Sequence, residues 1–250
     1  MISPTPKTHH NLPAAGFTLV EVLVVVIIIG ILAGIAGPTW ITWVTQQRIN
    51  ATNSAVISAI EKARNDAQAK KVPQTVAFRV INGVPQVAVF PMISGDETLT
   101  TEVKNRLDSI WEQGRVTGVN SGEVLLMSNL AGENDRNPIG TGDLSATTPA
   151  SPAVNIIASR ADNNAFWSNT ANKLPPHRIT FDHNGMLAGD EPEAELMVFV
   201  SMPARRDSAT PTPMESRLRC VRVGTLIGGL QLGRSADECT SMRQVETTTP

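Results

Sequence analysis

The sequence predicts an α+β protein in which one long N-terminal α-helix leads into a mainly antiparallel, sandwich-like β domain. Two observations carry this. A nearly uncharged apolar run at the N-terminus continues into an amphipathic helical pattern that stops near Lys71. Beyond Pro73 the apolar period falls from about 3.6 to 2 residues. At 250 residues the chain suits one ordinary domain plus an extension. With 21 basic against 23 acidic side chains, global charge gives no reason to expect a nucleic-acid partner. Tyr is absent, so a core must be built mainly from Val, Ile, Leu and Ala.

The helix comes first. Val22–Gly37 is apolar, and the character persists to Val44. Between Lys7 and Arg48 the one charged side chain is Glu21. A run of about 20 apolar residues is long enough to cross a bilayer. Lys7 ahead of it keeps the preceding segment cytoplasmic. Three readings fit: a plain anchor, a secretory signal cut near Gly34-Ile35-Ala36, or a leader cut before the run. Glu21 separates them. A carboxylate within an apolar helix costs roughly 2.5–3.5 kcal/mol at the helix centre and less toward its end. An anchor or a signal has no use for it. If the chain is cut after Gly16, however, the new α-amino group of Phe17 on one subunit can pair with Glu21 on a neighbour. An unpaired charge is penalised in a low-dielectric core, so Glu21 would set register.

Gly30, Gly34 and Pro38 interrupt the apolar stretch. Gly costs about 1 kcal/mol in a helix interior and Pro about 3. They mark either a place where the helix loosens on assembly or ordinary transmembrane packing. Further on, Ile49, Val56, Ile57, Ile60, Ala63 and Ala67 recur on one face, with Glu61, Lys62, Arg64 and Lys70 mostly off it. Lys70-Lys71 and Pro73 end the pattern. The expected divisions are a leader 1–16, a helix 17–72 and a head 73–250. The helix splits into an apolar half, 17–45, and an amphipathic half, 46–72. At 1.5 Å per residue it would extend about 80 Å. Two helices broken at Pro38 are the alternative.

In the head, Val76, Phe78 and Val80 alternate with other residues, Asn82-Gly83 follows, and Val87 and Val89 resume the alternation. That is a hairpin signature. Further strands are expected at Arg115–Val119, Glu123–Met127, Val154–Ala158, Arg178–Phe181, Glu195–Met202, Leu218–Val223 and Leu230–Leu232. Asn184-Gly185 and Gly228-Gly229 signal turns. Asn129–Pro152 and Pro203–Ser216 read as loops, and the head's α-helix is expected to be the one entering from the stem.

No catalytic constellation emerges. Gly-x-Ser-x-Gly, a P-loop and Cys-x-x-Cys are absent from the sequence. His177, Asp182 and His183 are near one another in sequence, but a strand flanked by loop polar residues accounts for them better than a metal site. Neither a cofactor nor a metal is expected.

Gly16-Phe17-Thr18-Leu19-Val20-Glu21 and the apolar run behind it resemble the prepilin processing motif of type IV pilins and type II secretion pseudopilins. The resemblance covers roughly residues 10 to 50. It implies a lollipop-shaped structural subunit, not an enzyme. It also implies cleavage between Gly16 and Phe17 by prepilin peptidase, N-methylation of Phe17, and assembly with other pilin subunits at an inner-membrane platform. The chain would cross the inner membrane once, with its head outside the cytoplasm, before entering a filament. With less force, Arg178–Gly185 and Arg219–Val223 resemble strand signatures of the GspH/FimT group of minor pilins and pseudopilins, although Leu230 stands after Gly229 where members often carry a basic residue.

Two consequences follow from that resemblance. A head outside the cytoplasm allows Cys220 and Cys239 to pair, whereas cytosolic cysteines would be free thiols. A bridge closing about 20 residues is worth roughly 3 kcal/mol in the chain-entropy model. Some FimT-type minor pilins bind DNA through basic C-terminal residues, which makes Arg217, Arg219 and Arg222 candidates within a cluster that also holds Arg205, Arg206 and Arg234. Strand alternation puts Arg222 on the opposite face from Arg217 and Arg219. The alternative is a charged edge strand that discourages pairing.

Overall fold

A computed structural model describes residues 16–93, 99–130, 132–135, 155–157, 159–160, 174, 177–189, 195–204 and 211–242. In chain order its elements are α1 (Leu19–Lys70), β1 (Gln74–Ile81), β2 (Val84–Pro91), α2 (Thr101–Gln113), β3 (Leu125–Ser128), β4 (Asn155–Ile156), β5 (Ser159–Arg160), β6 (Arg178–Phe181), β7 (Leu196–Ser201), β8 (Arg219–Val223), β9 (Leu230–Gly233) and α3 (Ala236–Ser241). The fold is α+β. The chain divides into two compact units, 1–44 and 45–250.

In the first unit α1 begins at Leu19 and is one unbroken helix through Gly30, Gly34 and Pro38. Every described side chain from Phe17 to Gly34 is exposed. Trp40 and Trp43 are exposed as well, with ring centroids 5.3 Å apart. Among the described residues no helix is long and apolar enough to cross a membrane. The unbroken run of described side chains in the apolar part of α1 ends at Gly34, short of the roughly 20 residues a span needs, and the side chains of 35–39 and 41 lie outside the description.

In the second unit the remainder of α1 buries Ile49, Thr52, Val56, Ile60, Ala63 and Ala67, at spacings of three and four. Lys71 closes the helix at φ 56°, and Pro73 follows. β1 and β2 then pair in full antiparallel register from Gln74↔Pro91 to Ile81↔Val84. Asn82 (φ 49°) and Gly83 (φ 72°) form the two-residue turn, the left-handed pair a type I′ turn requires. On the other edge of β1, β6 pairs antiparallel and β5 adds a short parallel contact at Val80↔Ser159. Thr75 and Thr180 face each other across β1–β6 with hydroxyls 2.9 Å apart. The second sheet is antiparallel, in the order β4-β3-β7-β8-β9.

The inner faces of both sheets pack on the stripe of α1. Val76, Phe78 and Val80 do so from the first sheet, and Leu196, Val198, Val200, Val221 and Val223 from the second. The outer faces are buried too. Ala77, Ala88 and Phe90 lie under Leu107 and Trp111 of α2, and Met197, Phe199 and Cys220 lie under α3. This corrects the expectation that the domain's α-helix is only the one entering from the stem. The helix α2 is signalled by Thr100, whose hydroxyl accepts the Val103 N–H at 3.4 Å, and by Leu107 and Trp111 four residues apart. Beneath it Arg79 lies 4.3 Å from the Trp111 ring centroid and donates to Gln86 Oε1 at 2.8 Å.

The strand expected at Arg115–Val119 does not form. Arg115 makes a single bridge to Gln86, after which Gly118 (φ 76°) and Gly122 (φ 70°) turn the chain. That loop is fastened to α1 by Arg48, which meets Glu123 at 2.5 Å and donates to the Gly118 carbonyl at 3.2 Å. Pro203–Ser216, expected to be a loop, begins and ends in ladder contacts: Ala204 N–H to Thr212 O and Met214 N–H to Met202 O, both at 2.8 Å. Residues 205–210 between them lie outside the description. Asn129, placed in the other expected loop, prolongs the β3–β7 ladder through its backbone and its side-chain amide.

Cys220 and Cys239 form a disulfide that ties β8 to α3, with Cα atoms 5.9 Å apart. The helix α3 is capped by Ser235, which accepts the Glu238 N–H at 3.2 Å, while Glu238 Oε2 accepts the Arg234 N–H at 2.6 Å. Gly233 lies against the bridge: a Cβ there would be 2.4 Å from Cys220 Sγ and 2.7 Å from Cys239 Sγ. Gly233→Ala should therefore lower stability by about 1–3 kcal/mol or leave the thiols open. Thermal unfolding together with thiol titration checks this; an oxidised variant with unchanged stability would refute it.

Candidate functional site

The candidate site is the amino-terminal end of α1. Phe17 is 81% exposed, and Gly16, also exposed, lies outside the helix. Thr18 starts the helix. Its hydroxyl accepts the Glu21 N–H at 3.2 Å, and its carbonyl accepts the Val22 N–H at 3.3 Å. Thr18-x-x-Glu21 has the capping-box spacing, a signal that locates this helix start from sequence. Glu21 thus stands in the first turn, where a negative charge complements the helix dipole. Its side chain is exposed.

Behind it, Val22 to Leu32 present apolar surface on every side of the helix. A helix apolar all round is normally buried in protein or lipid. At Gly30 and Gly34 an added Cβ would meet nothing within 4 Å. Packing among the described residues therefore does not require either glycine. Pro38 is a helical residue whose side chain is outside the description, as are residues 1–15 of the leader.

The C-terminal arginines go separate ways. Arg217 donates to Gln46 Oε1 on α1 at 2.7 Å. Arg219 is half-buried and donates to the carbonyls of Leu218 and Arg234. Arg222 is buried, paired with Glu195 and bonded to Gln231 Oε1 at 3.0 Å, so a phosphate cannot reach it in this fold. Arg205 and Arg206 lie outside the described residues.

The histidines and the aspartate drawn together in sequence have other partners. His177 Nδ1 sits 2.9 Å from Ser128 Oγ, and His183 Nε2 lies 3.2 Å from Asn184 Nδ2. Asp182 Oδ1 accepts the N–H groups of Asn184 and Met186, closing the turn after β6. Burial alone would raise the Asp182 pKa; those two N–H groups, with the Asn184 side chain and the nearby His183, together hold the carboxyl below its ordinary 3.8. Burial holds the His177 imidazole below its ordinary 6.5, against an opposing backbone hydrogen bond at Leu130.

Residues 13–37 match the prokaryotic N-terminal methylation motif. The chain carries a type IV prepilin-like amino terminus, with Gly16, Phe17 and Glu21 inside the matched segment. No curated protein and no solved structure matches the chain.

A depressed histidine pKa favours the neutral form in the fold. Its contribution to stability is present above the unfolded value near 6.5 and is lost as pH falls through the folded value. The thermal midpoint of the full chain should accordingly drop between pH 7 and pH 5, and His177→Gln should flatten that slope. Equal slopes in the two proteins would exclude His177 as the source.

Proposed function

We propose that this chain is a minor structural subunit of a bacterial filament, a type IV pilus or a type II secretion pseudopilus. Prepilin peptidase cuts it between Gly16 and Phe17 and methylates the new amino terminus. The observation that carries this reading is the exposed Gly16–Phe17 bond directly ahead of a capped helix that holds Glu21 in its first turn, all within the matched motif. The apolar sequence from Val22 to Val44 inserts in the inner membrane before assembly and enters the filament core afterwards. There Glu21 of one subunit pairs with the Phe17 amine of its neighbour and sets register. Gly30 and Gly34, which no contact among the described residues demands, and Pro38 let the helix loosen as it packs. The globular part faces outward for contacts.

Among minor subunits the GspH/FimT group fits best. The Arg178–Gly185 stretch forms β6 and its Asn-Gly turn, and Arg219–Val223 forms β8 beside the last strand. A DNA-capturing role would have to use Arg217 and Arg219, since Arg222 is held by Glu195.

Mass spectrometry of the protein recovered from membranes should find a chain starting at N-methylated Phe17; an intact Gly16–Phe17 bond would refute the processing step. Glu21→Ala should leave membrane insertion intact while largely abolishing entry into sheared filaments, and normal incorporation would remove the register role. Filter binding of DNA to the full chain at low and high salt tests the second role. Salt-sensitive binding lost in the Arg217→Ala, Arg219→Ala pair supports it, and no binding at low salt ends it.

A further inference from the structure

A groove of about 480 Å³ opens in the second unit between α1, the free edge of β2 and the C-terminal end of α2. Its floor is apolar and small: Ala55 and Ala59 of α1, Val87 and Val89 of β2, and Ile110 of α2. Its charged lining residues are Lys62 and Arg115, and no carboxylate lines it. Nearby, Asp66 is shared between Lys62 and Lys70, at 3.0 and 2.9 Å, so one carboxylate faces two ammonium groups and the rim stays cationic. One wall is an open strand edge. The Val87 N–H points away from β1 to the Gly114 carbonyl at 2.9 Å. By the alternation of an antiparallel pair, the N–H and C=O of Val89 point the same way, beyond the last residue that pairs with this edge among those described. An apolar floor, a cationic rim and backbone groups that bond to no strand among the described residues suit an extended acidic peptide that adds to the sheet.

The most acidic short stretch of the chain is Asp190-Glu191-Pro192-Glu193, with three carboxylates and no cation. Proline biases Glu191 toward extended backbone. The stretch lies outside the described residues; those flanking it are Gly189, just after Ala188 pairs with Thr180 of β6, and Glu195, which is held by Arg222. Strands β6 and β2 flank β1 on opposite edges. The groove and Ala188, the described residue that pairs with β6 just before the stretch, therefore lie on opposite sides of the first sheet. A contact between such unlike surfaces is heterologous, and repetition extends it into an open assembly.

We propose that the β2-edge groove receives the Asp190–Glu193 segment of a second copy of this chain, with Lys62 and Arg115 meeting its carboxylates. This rests on the filament reading and supplies that reading with a contact between globular parts. The test uses full-length chains co-expressed in membranes, one with Ser58→Cys and the other with Glu191→Cys; Ser58 is exposed and lines the groove. Oxidation should join the two copies. Arg115→Glu in the first copy should lower the yield about tenfold, and Glu193→Lys in the second should largely restore it. A Glu102→Cys partner, placed at the far end of α2, should not join. Equal joining by that control, or no Ser58–Glu191 adduct while both chains still sediment with sheared filaments, would overturn the docking site and leave the filament reading standing. Charge-dependent joining of chains that never enter filaments would support the docking site and count against the filament reading.

Discussion

Both sheets of the second unit depend on one helical stripe. Ile49, Val56, Ile60, Ala63 and Ala67 of α1 fill the space between the inner faces of the sheets, so the shared central core depends on that helix. Small residues toward the C-terminal end, Ala63 and Ala67, let Val76, Ile179 and Phe181 approach closely. Polar contacts then fix the helix rotation. Arg48 holds Glu123, Arg64 reaches the Gly228 carbonyl at 3.4 Å, and Gln68 reaches the Asn184 carbonyl at 2.9 Å. The two turn carbonyls held in this way belong to the Asn-Gly and Gly-Gly turns. Helix and turns therefore order one another.

This arrangement joins the chemistry of the amino terminus to the folding of the globular part through a single covalent element. The helix that carries Glu21 in its first turn supplies the domain's core in its second half. Such a helix has two demands on its composition. Its early part must be apolar on every face, and its later part on one face only. The change falls where Arg48 appears, close to the boundary between the two compact units at Val44 and Thr45.

Much of this was legible in the residues. The β1–β2 hairpin follows from Asn82-Gly83 because few other pairs accept two left-handed conformations in succession. Strands β6, β7, β8 and β9 lie within two residues of where the alternation puts them. Other features depended on packing. Helix α2 was missed because Thr101–Gln113 carries mostly polar residues; Leu107 and Trp111 are its two fully buried side chains. Burial of both sheet faces was missed for the same reason, since the outer layer is supplied by short helices. The Arg222–Glu195 pair was half visible: alternation separates Arg222 from its neighbours, but not even a strong charge pattern shows that Glu195 crosses from β7 to meet it. The N-terminal methylation motif was legible because it is a short local sequence pattern and needs no fold.

Asn129 and Asn134 do work that strands usually do. The Asn129 amide accepts the Met197 N–H at 2.7 Å and donates to the Glu195 carbonyl at 3.0 Å. Asn134 donates to the carbonyls of Thr180 and Ala188, both at 2.7 Å, and accepts the Thr180 N–H at 2.9 Å. Each side chain closes a ladder that the main chain has left, with its own carbonyl and amino group standing in for a peptide unit. The ends of the intervening chain are thereby secured at Asn134 on one side and at Asn155, opposite Ser128, on the other. Two buried amides thus carry bonds that peptide groups supply elsewhere in the sheets, and replacing either by an apolar side chain would open its ladder at that point.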